Sequence, residues 1–124
     1  MVIMVVDDVP IMRKILVDIL VKYCGMEHRN IYEAVDGETA VSEYERLRPN
    51  MVFLDFLMPN WDGKKTVEAI KKIDPDAYIV MYSAATEERI VDDCVEAGAS
   101  DYILKPPDPV RVLVALDRYK EGKE

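Results

Sequence analysis

Histidine occurs once in these 124 residues and cysteine twice. A single His cannot build a His-based zinc site, and Ser–His catalysis has no second His to draw on. His28, in the polar stretch from Glu27 to Asn30, reads as a surface loop residue. Cys24 and Cys94 lack metal-ligand spacing and read as small core residues. Long apolar runs are missing too, so no segment can span a bilayer as a helix. The apolar start, Met1 to Val6, lacks a basic leader and meets Asp7 and Asp8 at once, unlike a signal peptide. A cytoplasmic, membrane-free protein is the expectation. Positive charge is short: Lys plus Arg number 16 against 24 Asp plus Glu, for a formal net charge of −8. That balance argues against direct binding to nucleic-acid phosphates and suits cationic partners. Low-complexity segments, linkers and charge blocks are absent, and the length fits one domain with no room for a second catalytic one.

What is present is a soluble-protein balance, half hydrophobic and 32% charged, arranged in a repeating rhythm. Short apolar runs alternate with amphipathic stretches. Val2 to Val6 is a continuous apolar run, as expected of a strand buried on both faces. Met12, Ile15, Leu16, Ile19, Leu20 and Tyr23 follow at helical spacing, with Pro10 at the start and Gly25 at the end. Ile31 to Val35 reads as a strand, Glu38 to Leu47 as a helix, and Met51 to Leu54 as a strand ending in Asp55. Lys64 to Ile73 reads as a helix burying Val67, Ile70 and Ile73, and Ala77 to Tyr82 as a strand. Thr86 to Ala97 is the next helix, Ser100 to Leu104 the fifth strand and Pro109 to Tyr119 the last helix. Such alternation means an α/β fold, a five-stranded parallel sheet between two layers of helices. The expected domain is 1–120, with a short tail over 121–124.

In an open parallel sheet the site lies beyond the carboxyl ends of the strands. Those ends carry Asp7 and Asp8, Asp36 and Gly37, Asp55, Ser83, and Lys105 followed by Pro106. Asp36-Gly37 is ordinary turn chemistry. The others converge on one crevice. Three crowded carboxylates repel and call for a cation. Carboxylates, a backbone carbonyl and waters make an oxygen shell suited to Mg²⁺ or Mn²⁺. With a divalent ion and Lys105 the three carboxylates are neutralised. An arriving phosphoryl group would meet metal, ammonium and the Ser83 hydroxyl, and a carboxylate can serve as its nucleophile.

The pair Asp7-Asp8, the segment Leu54 to Gly63, Ser83-Ala84 and Lys105-Pro106 together resemble the receiver domain of two-component response regulators, over essentially the whole chain. The resemblance implies a flavodoxin-like doubly wound sheet with strand order 2-1-3-4-5. It implies Asp55 as phospho-acceptor, Asp8 as direct metal ligand, Asp7 as holder of a metal-bound water, and the Leu57 main-chain carbonyl as a further ligand. Ser83 matches the switch hydroxyl, Lys105 the ammonium that meets the phosphoryl group, and Tyr102 the switch aromatic. Lys105-Pro106 matches a cis peptide position. On this reading Ser83 moves toward the phosphoryl group and Tyr102 turns into the space it leaves. The signalling face is the fourth helix, fifth strand and fifth helix, with Arg89, Asp92, Asp93, Glu96, Arg111, Val114 and Arg118 as candidate contacts.

Three features are particular to this chain. Pro107 follows Pro106, and Leu57 and Ala85 stand where polar side chains often flank the acceptor. Neither can orient an attacking water, so slow loss of the phosphoryl group is expected. Trp61, the only tryptophan, reads as a loop aromatic over apolar surface. The expected function is a non-enzymatic signalling module, fed by a histidine kinase or phosphotransfer protein and read by a downstream protein. It is expected to be a monomer, or at most a weak or phosphorylation-dependent dimer, and to stand alone as in chemotaxis or a phosphorelay. The alternatives are a receiver from a longer transcription regulator, a pseudo-receiver that is never phosphorylated, and a phosphatase of the haloacid dehalogenase type. The last would want a second Asp at position 57, which is Leu.

Overall fold

A computed structural model of the chain describes residues 1–84 and 88–123. Five strands and five α-helices alternate: β1 (Ile3–Val6), α1 (Pro10–Lys22), β2 (Ile31–Ala34), α2 (Gly37–Leu47), β3 (Met51–Asp55), α3 (Gly63–Ile73), β4 (Ile79–Ser83), α4 (Glu88–Ala97), β5 (Asp101–Leu104) and α5 (Pro109–Lys123). All pairings are parallel and the sheet order is β2-β1-β3-β4-β5. This is the flavodoxin-like arrangement expected.

Residue alternation splits the core in two. Ile3, Val5, Phe53, Val80 and Tyr82 face α1 and α5, meeting Leu16, Leu20, Val112 and Leu116. Met4, Val6, Leu54, Ile79 and Met81 face the other layer, meeting Ala40, Tyr44, Val67, Ile70 and Cys94. β1, β3 and β4 are buried throughout, whereas edge strands β2 and β5 are partly open. That is why the three central strands are the most continuously apolar.

Several expected boundaries shift. Tyr23 lies past the end of α1 and is exposed, so the buried stripe of that helix closes with Ile19 and Leu20 and includes Val17. Asp36-Gly37 is a helix start rather than a free turn: Asp36 caps α2 by accepting from the Thr39 N–H at 2.8 Å. A Cβ on Gly37 would come 2.4 Å from Thr66 Oγ1 and 2.8 Å from Trp61 Cβ, so glycine is there for close packing. β4 starts at Ile79 rather than Ala77, and α4 is described from Glu88, so Thr86 lies outside the described residues. α5 runs on to Lys123, making 121–123 its last turn rather than a tail. The apolar stripe stops at Tyr119 because the core stops there, but a helix can continue without one. Cys94 is buried, Cys24 only partly, and His28 is exposed within a short 3₁₀ turn.

Candidate functional site

The carboxyl ends of β1, β3, β4 and β5 bring Asp7, Asp8, Asp55, Ser83 and Lys105 to one edge of the sheet. Register explains the meeting. Val6 pairs with Leu54, and Asp55 pairs with Tyr82, which pairs with Ile103. Asp7 and Lys105 then follow on their strands.

Carboxylate oxygens of Asp7, Asp8 and Asp55 all lie within 4.8 Å of one another. Asp7 is fully buried and Asp55 4% exposed, while Asp8 is more open. The Lys105 ammonium forks between the two buried acids, 2.9 Å from Asp7 Oδ2 and 3.1 Å from Asp55 Oδ1. It also rests over the Tyr82 ring, 4.8 Å from its centroid.

Asp7 is the most tightly held group. Its Oδ1 accepts from the Val9 N–H at 2.9 Å, and its Oδ2 accepts from both Lys105 and the Tyr82 hydroxyl, the latter at 2.7 Å. Its main-chain carbonyl accepts from Arg13 at 2.7 Å, and Arg13 is itself paired with Glu33. Burial pushes the Asp7 carboxyl up, but the Val9, Lys105 and Tyr82 donors outweigh it and hold it below the ordinary value. Asp55 has fewer donors. Burial pushes its carboxyl up to about 6, Lys105 opposes this, the Asp7 charge adds to it, and the Leu57 N–H supports the ionised form. One ammonium against three carboxylates leaves the cluster short of positive charge. The all-oxygen donor set fits a hard divalent cation.

The loop after Asp55 is tied back on itself. Gly63 donates to the Phe56 carbonyl at 2.7 Å, and Asp62 caps α3 through the Lys65 N–H at 2.9 Å. A Cβ on Gly63 would lie 2.8 Å from Phe56 Cα and 2.6 Å from Met81 Cε, so the tight return needs glycine. The Leu57 side chain is 62% exposed. Trp61 lines an open groove between α2 and α3 with Val41 and Ile73, and the Lys65 ammonium lies 4.5 Å from its ring centroid. Lys105-Pro106 is cis, and Pro107 is buried. Ala85 lies outside the described residues.

Ser83 is buried, and its side chain is hydrogen-bonded with the Tyr102 hydroxyl. Tyr102 packs, part-buried, against Met81 and Cys94 on the α4 side. Its phenol is raised by burial, with the Ser83 bond opposing the rise. Tyr102 is therefore turned toward Ser83 in this structure. Tyr102 is also one of the residues lining an open groove of about 310 Å³ between β5 and α5, with Ile103, Leu104, Val110, Arg111, Val114 and Arg118. Arg111 pairs with Asp108 and Arg118 with Asp101. Arg89, Asp92 and Glu96 are exposed on α4, and Asp93 is half-buried.

Sequence reasoning missed Tyr82, Arg13 and the exposed Val110 and Val95. A phenol in an otherwise aliphatic buried strand, directly before Ser83, was the available signal for the first. Apolar residues all round α5, from Val110 to Leu116, were the signal for the groove.

Comparison with known proteins agrees with this geometry. The model of the response regulator receiver domain matches residues 3–117. The chemotaxis protein CheY of Thermotoga maritima is 40% identical over 116 residues, covering 94% of each chain. CheY of Bacillus subtilis is 41% identical over 116 residues with the same coverage. Among solved structures, the CheX–CheY–BeF₃–Mg complex of Borrelia burgdorferi matches with a TM-score of 0.83 and 31% identity, over 94% of this chain and 86% of that one. A match over nearly the whole chain, on the sheet order and acidic edge described above, makes this protein a member of the response regulator receiver family.

Proposed function

We propose that this receiver is switched by phosphorylation of Asp55 and passes the signal through the β5–α5 groove. The carrying observation is the fork of Lys105 between Asp7 and Asp55, beside a buried Ser83. Asp8, Asp55, the Leu57 carbonyl and, through water, Asp7 are the groups that would hold Mg²⁺ or Mn²⁺. Bound there, the cation neutralises the cluster and offsets charge on the transferring group. The Asp55 carboxylate oxygen attacks phosphorus, the phosphorus–nitrogen bond of a phosphohistidine breaks, and the released imidazole nitrogen takes a proton from solvent water. Lys105 pairs with the phosphoryl oxygens that arrive, and Ser83 donates its hydroxyl to another.

Tyr102 then provides the readout, since its hydroxyl meets Ser83 and the same residue lines the groove. The upstream partner is a histidine kinase or phosphotransfer protein. The downstream partner is a protein that seats apolar side chains against Val110 and Val114 and meets the surrounding charges, Arg89, Asp92, Asp93, Glu96, Arg111 and Arg118. The likeness to chemotaxis proteins from several organisms supports a soluble, cytoplasmic signalling role of that kind. No helix among the described residues is long and apolar enough to cross a membrane. The test is transfer of label from a phosphorylated histidine kinase. Label should pass to the wild type in Mg²⁺, and chelation or Asp8→Ala should stop it. Transfer that survives both would remove the metal from the account.

A further inference from the structure

We infer that Tyr82 is a positioning residue for phosphoryl transfer: its hydroxyl keeps buried Asp7 satisfied when Lys105 turns from Asp7 to the incoming phosphoryl oxygens. The inference rests on the proposed role of Asp55 and adds to it a residue outside the acidic cluster.

Tyr82 and Asp7 are both fully buried. The Tyr82 hydroxyl and the Lys105 ammonium donate to the same oxygen, Asp7 Oδ2, at 2.7 and 2.9 Å. Each carboxylate oxygen has two lone-pair sites, so these two donors fill Oδ2, while Val9 serves Oδ1. Lys105 also pairs with Asp55, the atom group that would receive the phosphoryl. To follow the arriving oxygens, the ammonium must give up Asp7. Without Tyr82, that movement would strip Oδ2 of both donors inside the core, where an unpaired carboxylate oxygen is costly. With Tyr82, one donor stays. The ring adds a second effect. It lies under the ammonium at 4.8 Å, giving Lys105 a surface to rest on that does not compete for its hydrogens. Register fixes this arrangement, because Tyr82 pairs directly with Asp55 on β3.

Tyr82→Phe removes the hydroxyl and keeps the ring, so it leaves packing and the ring–ammonium contact in place. With acetyl phosphate as donor, the phosphorylation rate constant at saturating Mg²⁺ should fall about tenfold, the usual worth of a hydrogen bond to a charged group. Mg²⁺ affinity, read by calorimetry, should change less than threefold. In a Lys105→Ala background the same substitution should slow transfer no further, because its effect runs through Lys105. Urea unfolding in chelator gives a readout free of activity: the losses from Tyr82→Phe and Lys105→Ala should be non-additive. An unchanged rate in Tyr82→Phe, a loss that multiplies with Lys105→Ala, or additive unfolding losses would overturn the inference. A wild type that takes no phosphoryl group at all would instead overturn the reading on which it rests.

Discussion

Ionised Asp55 is opposed by burial and by the Asp7 charge, with Lys105 and the Leu57 N–H as its support. A carboxyl held at about 6 in the folded chain, against 3.8 ordinarily, binds its proton more tightly folded than unfolded. Its contribution to stability is therefore complete below about 4 and lost as pH rises through about 6. In chelator at pH 7.5, Asp55→Asn should raise unfolding stability by up to about 3 kcal/mol, and the gain should vanish near pH 4. Urea melts at the two pH values check this. Mg²⁺ should give the wild type a similar gain and Asp55→Asn much less. Leu57 carries a second prediction at this scale. Its exposed aliphatic side chain offers no hydrogen bond to a water near Asp55. Leu57→Asn should shorten the lifetime of the phosphorylated form severalfold, measured as loss of label after the donor is removed; an unchanged lifetime would clear the Leu57 side chain of any part in that lifetime.

Elements place these side chains, and the short return from β3 to α3 matters most. Gly63→Ala forces a Cβ against Phe56 Cα, which is backbone and cannot swing aside. It should destabilise the protein by about 1–3 kcal/mol and slow phosphorylation as well, since Asp55 lies directly before Phe56. Asp36→Ala removes the α2 cap on the far side of the sheet from Lys105. It should cost about 1 kcal/mol in thermal or urea unfolding and leave phosphorylation unchanged. The strands were readable in the sequence because burial on both faces demands continuous apolar runs, as in Met51 to Leu54. The acidic edge was readable because Asp7, Asp8, Asp55 and Lys105 close such runs. Tyr82 was not, because hydropathy alone cannot say whether a buried phenol has a carboxylate within reach 75 residues away. Nor was the last turn of α5, where Glu121 and Gly122 are exposed and so leave no apolar mark. Gly37 escaped for a related reason: its need is set by Thr66 and Trp61 on another element.

Over the whole molecule, a −8 charge makes the surface repel polyanions, while Asp7, Asp8 and Asp55 cluster at one edge of the sheet. On the proposed function, signal and chemistry use different surfaces, with Tyr102 as the link between them. Val114→Asp, at the groove, should weaken binding of a downstream protein by tenfold or more and leave the phosphorylation rate alone, read by binding titration beside a phosphorylation time course. Equal loss of both would mean that the groove and the acidic edge are not separable. The central claim, that Asp55 is the acceptor, is tested most directly by intact mass after incubation with acetyl phosphate and Mg²⁺. One phosphate on the wild type and none on Asp55→Asn is the predicted result. An adduct that persists on Asp55→Asn, or none on the wild type with any donor including a phosphorylated histidine kinase, would contradict it.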